Sequence, residues 1–152
     1  MTNKEVEAYL HEHIPISKHM EVAVARADQE EVLLRSPLAP NINHRSTVFG
    51  GSISTLAILA GWTLVHLKLQ LLPFRSRLVI QSNSINYLLP IDDYFQARCL
   101  APAPRDWERF VLALTNRKKA RIDVKAQVVF DEQIAATFEA RYVASQLELQ
   151  GD

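Results

Sequence analysis

The sequence predicts an α+β domain in which an antiparallel sheet wraps around one long apolar helix. Three observations carry that expectation. Residues 51 to 72 form a long, mostly apolar stretch. Several segments around it alternate apolar and polar residues with period two. The order is one helix, two strands, the long helix, then three or four more strands. The inner face of such a sheet needs a cover and the helix needs a wrapper, and this order supplies both with short connections. With 152 residues and no internal repeat, low-complexity tract or linker, the chain reads as a single domain over 1–152.

The elements follow in order. Asn3 to His13 reads as a short amphipathic helix, with Val6, Tyr9 and Leu10 on one face and Ile14-Pro15 at its end. Glu21 to Ala27 and Glu31 to Ser36 read as two strands of a hairpin joined at Asp28-Gln29. A loop containing Pro37 and Pro40 leads into the long helix, Gly51 to Leu72, which Pro73 stops. Arg77 to Leu89 is the next strand, ending at Pro90, and Tyr94 to Ala101 sets Phe95, Ala97 and Cys99 against Gln96 and Arg98. Trp107, Phe110, Val111 and Leu114 fall at helical spacing, although Phe110 to Leu114 alone also fits a strand. Arg121 to Phe130 alternates Ile122, Val124, Ala126 and Val128 with Asp123, Lys125 and Gln127, and Ile134 to Val143 is the closing strand.

Composition narrows the function classes. The 17 basic and 17 acidic residues leave no net charge, which argues against nucleic acid as the partner, because phosphate binding needs accumulated positive charge. Cys99 stands alone, so there is no internal disulfide and a reducing compartment suits the chain. Met1-Thr2-Asn3-Lys4-Glu5 is polar where a signal peptide would be apolar, and a cytoplasmic location is expected. The stretch from Ile53 to Leu72 is interrupted by Ser54, Thr55, Thr63, His66, Lys68 and Gln70. It therefore reads as a buried helix and not as a membrane span.

The run Asn41-Ile42-Asn43-His44-Arg45-Ser46-Thr47-Val48-Phe49-Gly50-Gly51-Ser52 is the candidate site. It sets two amides, an imidazole and two glycines against the head of the apolar helix. Unpaired N–H groups and the helix dipole make such a terminus suited to a polarised carbonyl or an anion. N–H groups near Gly50, Gly51 and Ser52 would hold an oxyanion, with glycine allowing close approach. Asn43, Ser52 and Thr55 would orient water, and His44 is the titratable group nearby. Each has a plainer role as well. Asn41 and Asn43 form turns, Ser52 serves as a helix N-cap, Thr55 bonds back to a carbonyl, and His44 lies on the surface.

Asn43 followed six residues later by Phe49-Gly50-Gly51 and a buried helix resembles the hot-dog thioesterases. The whole chain resembles the YiiD C-terminal-type thioesterases within them. The shared pieces are Ala39-Pro40-Asn41-Ile42-Asn43, Phe49-Gly50-Gly51-Ser52, Leu59-Ala60-Gly61-Trp62 and the closing Phe138-Glu139-Ala140-Arg141-Tyr142-Val143. The resemblance implies a hot-dog fold, cleavage of an acyl-coenzyme A or acyl-carrier-protein thioester, and a homodimer with the acyl site at the subunit interface. A tetramer of two dimers is compatible with it. It implies no cofactor beyond the coenzyme A of the substrate. Asn41, Phe49 and Gly50 fall on the substrate side of the matched loop. The catalytic acids of related branches have no counterpart. Phe49 stands where the phenylacetate-pathway branch has His and Ile58 where it has an acid, and Asn43 occupies the acid's place in the 4-hydroxybenzoyl-type branch.

Arg117, Lys118, Lys119 and Arg121 make the one dense basic run, suited to coenzyme A phosphates or an acidic carrier protein. A solvated turn with edge-protecting charge is the plainer reading. His11 and His13 point to different helix faces, and with no other clustered ligands no metal is expected. Three functions compete on these residues: a thioesterase, a binding module that keeps the acyl cleft without turnover, and a hydratase or dehydratase. The missing acids favour the second over the third.

Overall fold

The computed structural model describes residues 1–148, so the last four residues of the expected domain lie outside it. The chain forms α1 (Asn3–His13), α2 (Ile16–His19), β1 (Ala23–Ala27), β2 (Glu31–Ser36), α3 (Gly50–Leu69), β3 (Ser76–Tyr87), β4 (Phe95–Leu100), α4 (Pro104–Arg117), β5 (Lys119–Phe130) and β6 (Gln133–Gln146). Every strand pair is antiparallel, in the order β1-β2-β4-β5-β6-β3. Since α3 touches β2, β3, β4, β5 and β6, the sheet is wrapped around it. This is the hot-dog fold that the sequence predicts.

Alternation builds the sheet. In β5, Ile122, Val124, Ala126 and Val128 are buried while Arg121, Asp123, Lys125 and Gln127 stay exposed. The outward residues pair across strands, Asp123 with Arg141 at 2.8 Å and Lys125 with Glu139 at 3.6 Å. By length and composition α3 would pass for a membrane span. Here Leu56, Ala57, Ala60, Leu64 and Val65 have no exposed surface, and each large side chain so buried contributes about 1.5–3 kcal/mol.

Boundaries differ from expectation where local chemistry intervenes. β1 starts at Ala23 and not Glu21, because the short α2 ends at His19 with Met20 as its C-cap and Glu21 turns the chain with φ 57°. α3 starts at Gly50 and stops at Leu69, before Pro73. The N–H groups of Leu71 and Leu72 bond to Lys68 and Leu69, three residues back, as the helix tightens into a turn. The Trp107 to Leu114 stripe is helical, with Phe110 and Leu114 buried and the Lys68 ammonium 4.6 Å above the Trp107 ring. α1 carries a capping box between Thr2 and Glu5.

Two of the motifs noted in the sequence meet in the core. The Tyr142 hydroxyl of β6 donates to the Ile58 carbonyl of α3 at 2.6 Å. A Cβ on Gly61 would lie 2.6 Å from that hydroxyl oxygen. Gly61 is thus the gap in the helix surface that the phenol fills. Burial pushes the phenol's pKa far up, which keeps it protonated as a donor.

Candidate active site at the head of the central helix

The loop from β2 to α3 is tied down by its own amides. Asn41 is buried, and its side-chain NH2 donates to the Met20 carbonyl at 3.1 Å, the Ser36 hydroxyl at 3.0 Å and the Pro37 carbonyl at 2.8 Å. This anchors the loop to the end of α2 and of β2. Asn43 closes a five-residue turn on itself. Its Oδ1 accepts from the N–H groups of Arg45 and Thr47, and its Nδ2 donates to the Thr47 hydroxyl at 2.9 Å. A backbone bond from Asn43 N–H to the Thr47 carbonyl, at 2.8 Å, completes the turn. His44, Arg45 and Ser46 form its exposed tip. Ile42 and Val48 then bridge, and Val48 N–H reaches the Ile91 carbonyl at 2.8 Å. That bond sets Asp92, the next residue, beside the loop.

Phe49 is the N-cap of α3 and has no side-chain group to cap it. The N–H groups of Ser52 and Ile53 turn back to the Phe49 carbonyl, at 2.9 and 3.2 Å. Among the described residues, the N–H groups of Gly50 and Gly51 have no acceptor. The open donors at the helix head are therefore those two, and the Ser52 N–H is already engaged. Ser52 sits inside the first turn and is not the N-cap. Thr55 donates back to the Gly51 carbonyl at 2.7 Å, leaving its oxygen free to accept. The Phe49 ring, 57% exposed, folds over Gly51, where a Cβ would lie 2.3 Å from it. Tyr87, at the end of β3, donates its hydroxyl to the Gly50 carbonyl at 3.0 Å.

Asn41, Asn43, His44, Phe49, Gly50, Gly51, Ser52 and Thr55 thus share one end of the molecule. Arg117, Lys118, Lys119 and Arg121 do not. They surround the start of β5, where Lys118 caps α4 with φ 64° and its carbonyl accepts from Gln146 N–H. That is the end of the sheet where β3 begins, beside the C-terminal end of α3. The 20 residues of α3 put about 30 Å between the two groups.

One stretch of the chain has a charge pattern that the motifs alone do not reveal. From Val32 to Ile91, a run that includes the loop, α3 and β3, there is no Asp or Glu. The basic residues and histidines in that run are Arg35, His44, Arg45, His66, Lys68, Arg75 and Arg77. Arg75 and Arg77 escape a search for dense basic runs because a serine separates them. His66 stacks on Trp62 with ring centroids 4.6 Å apart and on Tyr9 at 5.0 Å. Burial, helped by nearby His13, lowers its pKa, which favours the neutral imidazole. His11 is used elsewhere, its Nε2 lying 2.8 Å from the Val22 carbonyl. Cys99 is buried in the sheet with its thiol pushed up to about 12, so it is inert packing.

Chemically, two open N–H groups in the first turn of an apolar helix can hold a carbonyl oxygen as it gains negative charge. The model for the family described as "Putative thioesterase (yiiD_Cterm)" matches residues 3–146. Among solved structures, the chain is similar to a protein of unknown function from Chlorobaculum tepidum TLS, with 27% identity and a TM-score of 0.90, covering 95% of this chain and 94% of that one. It is also similar to a "putative thioesterase" from Shewanella oneidensis, with 30% identity and a TM-score of 0.82, covering 94% of this chain and 96% of that one. A thioesterase from Haemophilus influenzae, 12% identical over 100% of this chain and 96% of that one, shares the fold with a TM-score of 0.77. The family match runs from the first residue of α1 to the last of β6, and the chain belongs to this YiiD C-terminal thioesterase family.

Proposed function

We propose that the protein hydrolyses an acyl-coenzyme A or acyl-carrier-protein thioester, as a homodimer with the site at the subunit interface. The observation that carries this reading is the pair of unpartnered N–H groups on Gly50 and Gly51 at the head of α3. They receive the thioester oxygen and stabilise it as water adds to the carbonyl carbon. The proton that water loses passes to the departing sulfur as the carbon–sulfur bond breaks, leaving a carboxylic acid and the free carrier thiol. Asn43 holds the loop, while the Ser52 hydroxyl and the Thr55 oxygen, both in the first turns of α3, serve as water-orienting groups. The acyl chain lies along the apolar side chains of α3.

A second reading, an acyl-carrier-binding module without turnover, is favoured because the loop and α3 carry no carboxylate of their own, Asp92 being the one the fold brings beside the loop. Thiol release from a panel of short, long and aromatic acyl-coenzyme A esters, and from the matching acyl carrier proteins, separates the two. The thioesterase reading predicts at least one ester class turned over at about 1 s⁻¹ or faster. If no ester is cleaved while an acyl-coenzyme A raises Tm, the protein is a binding module.

A further inference from the structure

β1 lies at one edge of the sheet, paired with β2 on one side only, and its open side is met by side chains where a strand would be. α1 packs beside it and presents Asn3, Glu7 and His11, four residues apart on one stripe of the helix. The Asn3 carboxamide donates to the Ala25 carbonyl at 3.1 Å and accepts from the Ala27 N–H at 3.2 Å. One side-chain amide thus stands in for a peptide group of a neighbouring strand. The Glu7 carboxylate accepts from the Val24 N–H at 2.9 Å. His11 Nε2 lies 2.8 Å from the Val22 carbonyl, and because a carbonyl only accepts, that nitrogen carries the proton. The Val22 N–H is taken by the Ser17 carbonyl, so the cover runs from Val22 to Ala27.

The fit follows from two repeats that nearly coincide. Four residues climb about 6 Å along a helix, and two residues cover about 6.7 Å along a strand. Asn3, Glu7 and His11 therefore keep pace with β1 as α1 runs past it in the opposite direction. Their polar ends supply donors and acceptors where a strand's N–H and C=O groups would be. Val6 and Leu10 are buried, and the Tyr9 ring stacks on His66 with centroids 5.0 Å apart, so the helix is held in place by contacts that the polar stripe does not make. Ala25 is the extra residue of a bulge in the ladder with β2. A bulge and a length of five residues blunt an edge, but the outward N–H and C=O groups remain those of a strand that can take a neighbour.

We propose that the Asn3, Glu7 and His11 stripe is an autoinhibitory cover that keeps β1 from adding a strand of another copy of this chain. A second copy is the occupant because the covered groups are main-chain donors and acceptors, which select no side chain, and the β1 of another copy is present at equal concentration with matching length. The cover does not rest on the thioesterase reading and is tested without any activity.

Amide exchange followed by NMR reads it bond by bond. Asn3→Ala is expected to speed exchange at Ala27 at least tenfold and to leave Val24 unchanged, and Glu7→Ala is expected to do the reverse. Glu7→Gln keeps an acceptor for the Val24 N–H and leaves both amides at their wild-type rates. Any other pattern overturns the cover. Association is read by light scattering on the full chain carrying Asn3→Ala/Glu7→Ala/His11→Ala. Alanine favours the helix and Val6 and Leu10 are kept, so this variant is expected to hold the wild-type circular dichroism. Its mass is expected to rise with concentration to at least twice that of wild type. In that background Val24→Pro or Ala27→Pro, each of which removes an outward N–H and no bond to β2, is expected to return the mass to the wild-type value. A triple variant with wild-type mass, or growth that survives both prolines, overturns the proposal. Should the triple variant fail to fold, Asn3→Ala/Glu7→Ala takes its place in the same measurement with the same outcomes.

Discussion

Gly61→Ala is expected to destabilise the fold by about 1–3 kcal/mol, the usual range for overpacking a tight core. The added methyl would sit 2.6 Å from the Tyr142 hydroxyl and 3.1 Å from two of its ring carbons. Neither partner can step aside, because Gly61 lies in the buried middle of α3 and Tyr142 has no exposed surface. Tyr142→Phe alone removes the bond to the Ile58 carbonyl and costs about 1 kcal/mol, since that carbonyl keeps its helical partner. The double variant relieves the closest clash but keeps the ring contacts, so its loss is smaller than the two single losses combined. Urea denaturation of the four proteins measures this coupling. Strict additivity would mean that helix and closing strand do not interlock here.

Asn43→Ala is expected to lower kcat/KM about 100-fold, equivalent to about 2.7 kcal/mol, while stability falls by only about 1 kcal/mol. The stability loss is small because the turn is partly solvated and the backbone bond between Asn43 and Thr47 remains. The activity loss is larger because three side-chain bonds fix the turn that delivers Phe49 and the glycines to the helix head. Asn43→Asp separates shape from chemistry. Its carboxylate still accepts from the Arg45 and Thr47 N–H groups and takes a proton bond from the Thr47 hydroxyl, so the loop persists. Turnover in Asn43→Asp at the wild-type level, beside its loss in Asn43→Ala, shows that the loop's shape is what matters, whereas turnover above wild type would mean that the new carboxylate acts as a base. Steady-state kinetics and thermal melts on the same preparations read both quantities.

Periodicity made most of the fold legible. α1, β2 and the alternation of β5 are visible because each buries one face and solvates the other. The short α2 was not visible, since four residues carry no period, and the left-handed turn at Glu21 that follows it trimmed β1. The site was partly legible. Its loop residues assemble at one end as expected, but their roles depend on bonds that composition does not encode. Ser52 is a good N-cap residue by type, yet Phe49 takes that position because the chain enters the helix three residues earlier. Gly61 and Tyr142 stand far apart in sequence, so only the register of β6 against α3 reveals why they belong together.

The central claim is that the Gly50 and Gly51 N–H groups hold the thioester oxygen, and Gly50→Pro against Gly50→Ala tests it most directly. Gly50 is the first residue of α3, a position that accepts proline. Phe49 before it is extended, with ψ 131°, as a residue preceding proline must be. A Cβ at Gly50 meets the Tyr87 ring at an ordinary 3.5 Å. Both variants should therefore fold, and they differ chiefly in the N–H. Thiol release with the best ester is expected to stay near wild type in Gly50→Ala and to fall about 100-fold in kcat in Gly50→Pro. Equal turnover in the two variants would contradict the account.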